Sequence, residues 1–201
     1  MPMPNFTDLA GLASIASATA ASVLLLPGTA TLTKPRLALL PGVVFVLMLI
    51  PFGGMPLAAD VRGMTGDLSI TTMVLLCCAL LRPWCSCFMV EAKQRHALLV
   101  LIAFAALVLY PMALGVSAYD PYRLGYGDPL FIVALLLLAL VAWLRKSTLI
   151  ALCIAFATLS WATGWYESEN LWDYLFDPFV STYALAAITI SGVKALLKLQ
   201  G

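Results

Sequence analysis

The chain has 201 residues, 63% of them hydrophobic and only 10% charged, with a formal net charge of +1. A soluble domain carries roughly a quarter charged residues, so this composition excludes an ordinary soluble enzyme and points to an all-α integral membrane protein. No basic block exists, which excludes a nucleic-acid partner.

A spanning helix needs about 20 residues, because the hydrocarbon core is about 30 Å thick. Seven apolar runs meet or approach that length: 9–26, 37–52, 68–81, 97–116, 130–144, 149–165 and 179–199. The amino terminus lacks the basic stretch of a signal peptide, so the first run is expected to stay as a helix. Ala10, Ser14, Ala18 and Ser22 repeat there at every fourth position, a seam of small residues suited to close helix packing. The second run carries Pro41-Gly42, a candidate kink, and ends at Pro51 and Gly53-Gly54.

The segment 51–69 follows, with four glycines, Asp60, Arg62 and Asp67. Its closing pattern, Arg-x-x-x-Gly-Asp, recurs at 123–128 and hints at a duplicated hairpin. Met55 to Ala59 are expected to lie at a membrane interface or dip toward the bundle. The basic loop after the third run holds Cys85, Cys87 and, further on, His96. Their spacing matches no strong zinc pattern, and no metal or other cofactor is expected. The loop 117–129 is rich in turn residues. The loop 166–178 alternates acids with Leu, Trp, Tyr and Phe, and its part 170–176 is expected to form one amphipathic turn on the membrane surface.

Charge sorts the loops. Nine of eleven Lys and Arg residues lie in the connections 1–2, 3–4 and 5–6 or near the carboxyl terminus. Nine of ten Asp and Glu residues lie on the other side. Basic loops face the cytoplasm, which predicts a seven-helix bundle with short loops, amino terminus out and carboxyl terminus in. The chain reads as a single domain, 1–201, in a bacterial-type inner membrane.

Each helix running inward is expected to start beside a capping Asp: Asp8, Asp67, Asp128 and Asp177. A carboxylate there accepts from free amides and meets the positive end of the helix dipole. Pro129 and Pro178 occupy the first helical positions. Setting the caps aside leaves Asp60, Arg62, Asp120, Arg123, Glu167, Glu169 and Asp173 on that side, of which Asp60, Arg62, Asp120, Arg123, Glu167 and Asp173 are the candidate binding residues. Arg62 and Arg123 are a possible clamp for phosphate, whose geometry suits a guanidinium fork. No nucleophile motif, Walker loop or HExxH is present, no catalytic residue is assigned, and whether the chain is an enzyme stays open. Two classes follow. One is a structural or accessory membrane component presenting an acidic, aromatic outer face to a membrane-protein partner within the lipid. The other is a small membrane enzyme or binding protein for a lipid-linked or phosphorylated substrate at the outer leaflet.

Overall fold

The computed structural model describes residues 5–81, 90–116 and 118–199. Cys85 and Cys87, with Trp84 and Arg82, lie outside the described residues. Among the described residues the fold is all-α apart from one short hairpin. Seven helices sit on the seven apolar runs: α1 (Phe6–Leu24), α2 (Lys34–Leu49), α4 (Ile70–Leu81), α5 (Ala92–Pro111), α6 (Pro129–Leu144), α7 (Thr148–Ala162) and α9 (Pro178–Leu199). Phe6–Leu24, Ala92–Val116 and Pro178–Leu197 are long and apolar enough to cross a membrane, while Ile70–Leu81, Pro129–Leu144 and Thr148–Ala162 are apolar but shorter.

Two short α-helices, α3 (Leu57–Thr65) and α8 (Leu171–Leu175), lie between them. The strands β1 (Pro51–Phe52) and β2 (Met55–Pro56) pair antiparallel ahead of α3. Their two-residue turn is Gly53-Gly54, with φ of 65° and 105°, a conformation that glycine adopts without steric cost.

Cross-links fix which helix ends meet. Arg62 of α3 reaches Asp8 near the start of α1. Asp177, just before α9, receives the Ser69 N–H just before α4. Tyr110 at the end of α5 meets Ser181 at the start of α9. Phe131, in the first turn of α6, stacks on Trp172 of α8. The starts of α1, α4, α6 and α9 therefore share one end, the acidic one. At the opposite end the Gln94 side chain of α5 accepts the Leu149 N–H at the start of α7. Consecutive long helices alternate in direction, as short connections require.

Packing divides into two clusters. The larger one joins α5, α7, α8 and α9 with parts of α4 and α6 around Ile102, Ile154, Leu171 and Tyr174. The smaller one joins α1, α2, α3 and α4 around Ile15, Met48, Ala58 and Leu68. The small-residue seam of α1 is buried at Ala10, Ser14 and Ala18, where α1 lies against α2, α3 and α4. The helix α2 runs on through Pro41. Outward-facing surfaces are apolar: Leu130, Leu137, Leu140 and Leu144 of α6, Phe104 and Leu107 of α5, and Leu196 and Leu197 of α9 are all exposed.

Both ends of the α6–α7 hairpin close in the same way. After α7, the Trp165 N–H reaches Ser160 O and the Gly164 N–H reaches Trp161 O, with Gly164 at φ 62°. After α6, the Ser147 N–H reaches Ala142 O and the Lys146 N–H reaches Trp143 O. Here Lys146 holds the left-handed position at φ 60°. A side chain in that conformation costs about 1 kcal/mol relative to glycine. Lys146→Gly should accordingly raise the unfolding free energy by about 0.5–1 kcal/mol, read as a higher midpoint of denaturant unfolding in micelles.

Candidate functional site

The acidic end is held by two clusters, and four of the six candidate residues fall in them. The first centres on Arg62. Its position in α3 turns it inward while Val61 and Met64 stay exposed. Its Nε donates to Asp67 Oδ1 at 2.6 Å and one terminal nitrogen donates to Asp67 Oδ2 at 3.0 Å. The other terminal nitrogen donates to Asp8 Oδ1 at 3.2 Å. Glu167 Oε1 lies 3.3 Å from the guanidinium. The Arg62 side chain is 15% exposed, against 63% for Glu167. The Asp67 carboxylate holds the guanidinium charged, well above its already high ordinary value. One cation thus faces three anions, each through a charge-assisted bond, the stronger kind.

This arrangement depends on Gly11. A Cβ there would overlap the Arg62 guanidinium and lie 2.6 Å from Asp67 Oδ1. The missing side chain lets the fork lie flat against α1. A cavity of about 490 Å³ opens beside the cluster, lined by Asp8, Arg62, Gly66, Asp67 and Glu167.

The second cluster lies in the loops 118–128 and 163–177. Tyr122 donates its hydroxyl to the Asp173 carboxylate, with Oδ1 at 2.9 Å and Oδ2 at 3.0 Å, and Ser168 donates to Asp173 as well. Burial, followed by the Asp173 charge, pushes the Tyr122 hydroxyl well above its ordinary value. Asp120 accepts the Tyr122 N–H at 2.9 Å and caps the 3-10 turn Pro121–Gly125. Asn170, 1% exposed, accepts the Trp172 N–H and donates to Tyr122 O. Gly125 makes that contact possible, because a Cβ there would overlap the Asn170 amide. Tyr174 is fully buried, receives the Tyr166 N–H and bonds to the Tyr166 and Ser168 carbonyls. Tyr166 in turn pairs with Ser14 of α1 at 2.9 Å, and burial pushes its hydroxyl up to about 12.

The candidate residues are therefore not gathered round one point. Arg62 and Glu167 share the first cluster, and Asp120 and Asp173 share the second. Asp60 is exposed on α3; it stands two positions before Arg62, a rotation of about 200° on a helix. Arg123 is exposed and makes no ion pair among the described residues. The two Arg-x-x-x-Gly-Asp stretches share a left-handed glycine, Gly66 at 72° and Gly127 at 87°, and then diverge. Asp67 turns back to Arg62, whereas Asp128 caps α6 by accepting the Phe131 N–H at 2.9 Å.

Of the four expected caps, Asp128 and Asp177 are caps. Asp177 accepts the Phe179 and Val180 N–H groups on one oxygen. Asp67 is not: α4 starts later, and Ser69 accepts the Thr72 N–H in its place. Asp8 sits inside the first turn of α1, where it accepts the Asn5 N–H and pairs with Arg62. Asp8 and Asp67 are thus the members of the Arg62 cluster that sequence reasoning set aside. The turn 170–176 is also placed differently. Residues 171–175 form a helical turn, but Leu171, Tyr174 and Leu175 are buried among α4 and α7, because the Tyr174 hydroxyl finds three backbone partners inside. Among the described residues no three His, Cys, Asp or Glu side chains are grouped to hold a metal. No protein-family model, curated protein or solved structure matches the chain.

Proposed function

We propose that the chain is a seven-span protein of a bacterial-type inner membrane, amino terminus out, that serves as a structural or accessory component. Its rigid acidic and aromatic outer cap is the face offered to a membrane-protein partner. The observation that carries this reading is the occupation of Arg62 by three carboxylates from separate segments. Such a guanidinium fastens α1, α3, the start of α4 and the loop after α7; it has little capacity left for a ligand. The cavity beside it is lined by three acids and one base, a field that disfavours phosphate. That weighs against the reading as an enzyme or binding protein for a phosphorylated substrate. The girdle of exposed Leu, Val and Phe on α5, α6 and α9 suits lipid, since soluble proteins rarely expose continuous apolar surface. The basic loops at the opposite end support the orientation.

Two measurements test the proposal. A reporter fused after Gly201 should be active on the cytoplasmic side; activity outside would overturn the orientation. Mild crosslinking in native membranes should yield one defined heteromeric product. Exposed Tyr126 and Glu169 lie on the cap, and the pair Tyr126→Ala with Glu169→Lys should lower that product several-fold without loss of folded protein. A protein that runs as a clean monomer, with no product sensitive to these changes, would count against a scaffold.

A further inference from the structure

Helices α5 and α6 both lean on α7, and a cavity of about 290 Å³ remains between them. Its walls are mostly apolar side chains of these three helices, with Cys153 of α7 and Thr71 of α4 among them. It has two different ends. Pro121, Trp172 and Phe176 line the end beneath the acidic cap, and Trp172 is fixed by its ring contacts with Phe131 and Phe176 and by the Nε1–H bond to Pro121 O. That end is blind. Toward the opposite end the same groove continues, through the shared residues Leu101, Phe104, Leu138 and Ile150, into a second hollow that finishes at Arg145 and Ser147. Arg145, at the end of α6, lines this mouth; Lys146 follows it in the chain, and Lys93 and Arg95 lie in the first turn of α5, whose Gln94 bonds to the start of α7. All four are exposed, and among the described residues none makes an ion pair. Phe104, 68% exposed, and Leu138, 38% exposed, form the lips along the side.

The dimensions select an occupant. From Leu98 to Leu109 the wall of α5 rises eleven residues, about 17 Å at 1.5 Å each. Half the hydrocarbon core, the reach of one acyl chain, is about 15 Å. A basic mouth above an apolar slot favours an anionic headgroup, and the Arg145 fork suits a phosphate diester. The geometry points to a binding groove for one acyl chain of an anionic phospholipid, with the tail between α5 and α6 against Trp172 and the headgroup phosphate on Arg145. The inference rests on the membrane placement proposed above and not on the role of the acidic cap.

The test uses the full chain in mild detergent with equal amounts of phosphatidylglycerol and phosphatidylcholine of identical acyl chains, read by native mass spectrometry. One phosphatidylglycerol should be retained, with at least a fivefold preference. Arg145→Gln should erase the preference while leaving weak binding of both lipids. Ala105→Phe, which fills the groove from α5, should remove both; Leu138→Phe at the lip repeats that test if the first variant does not fold. Equal retention of the two lipids by the unaltered chain, or a preference that survives Arg145→Gln, would overturn the proposal. So would a dimer lost on Ala105→Phe, which would make the groove a seat for a second copy. The lipid preference is read at the basic end, so it stands or falls separately from any partner of the cap.

Discussion

Arg62→Ala should lower the unfolding free energy by about 3 kcal/mol, toward the low end of what breaking a buried ion pair costs. The substitution removes the cation and leaves Asp8, Asp67 and Glu167 facing one another at the acidic end. The Asp67 side chain is 20% exposed and that of Asp8 is 38% exposed, so water relieves part of the repulsion; Glu167 is the most exposed and contributes least. Arg62→Lys keeps the charge but loses the fork that engages Asp67 through two nitrogens, and should recover less than half of the loss. Adding Asp67→Asn to Arg62→Ala removes one unpaired anion and should restore about 1 kcal/mol. The measurement is equilibrium unfolding in mixed micelles at low and high salt, where the Arg62→Ala deficit should shrink as salt screens the exposed part. An arginine reserved for an anionic ligand would behave otherwise: its loss would leave stability unchanged or raise it.

The same residue shows where a sequence can and cannot be read. The seven apolar runs and the end at which the acids collect were legible, because apolar length and charge sorting are local properties of the chain. The caps at Asp128 and Asp177 were legible because Pro129 and Pro178 mark the first helical positions beside them. Asp67 misled, because the same Gly-Asp pair precedes both α4 and α6. The distinguishing signal was downstream, in Ser69 and Thr72: a hydroxyl three residues before another polar residue offers a later start for α4. What closes the Arg62 cluster was not legible at all. Its partners lie 54, 5 and 105 residues away, and the space for the guanidinium is made by Gly11 on a different helix. Among so few charged side chains, any acid at that end was an equal candidate until packing chose three. Burial of the turn 171–175 was hidden for a similar reason. A stretch that alternates acid and aromatic looks amphipathic to a membrane surface, and only the hydroxyl partners of Tyr174 and Tyr122 show that its polar groups are satisfied inside the protein.

Asp177 gives the largest expected loss at a single position. It is 5% exposed and accepts four bonds. Oδ1 takes the Phe179 N–H at 2.8 Å and the Val180 N–H at 2.9 Å. Oδ2 takes the Ser69 N–H at 2.8 Å and the Thr72 hydroxyl at 2.6 Å. One carboxylate therefore caps α9 and locks it to the start of α4, and it supplies a partner to Ser69, which is fully buried. Asp177→Ala removes a helix cap, worth about 1 kcal/mol, and strands a buried N–H, at about 1–3 kcal/mol. Together with the freed Thr72 hydroxyl the expected loss is about 4 kcal/mol. Asp177→Asn should cost about half of that: its single carbonyl oxygen can serve α9 or Ser69, and the amide then presents a donor to the donors on the other side. Thr72→Val tests the lock separately from the cap. If the two elements are coupled through Oδ2, the loss from Asp177→Ala should be smaller by about 1 kcal/mol in the Thr72→Val background than in the unaltered chain. Equal losses in the two backgrounds would mean that the Thr72 hydroxyl adds nothing to the lock, and the junction between α4 and α9 would then rest on the Ser69 N–H bond and apolar packing.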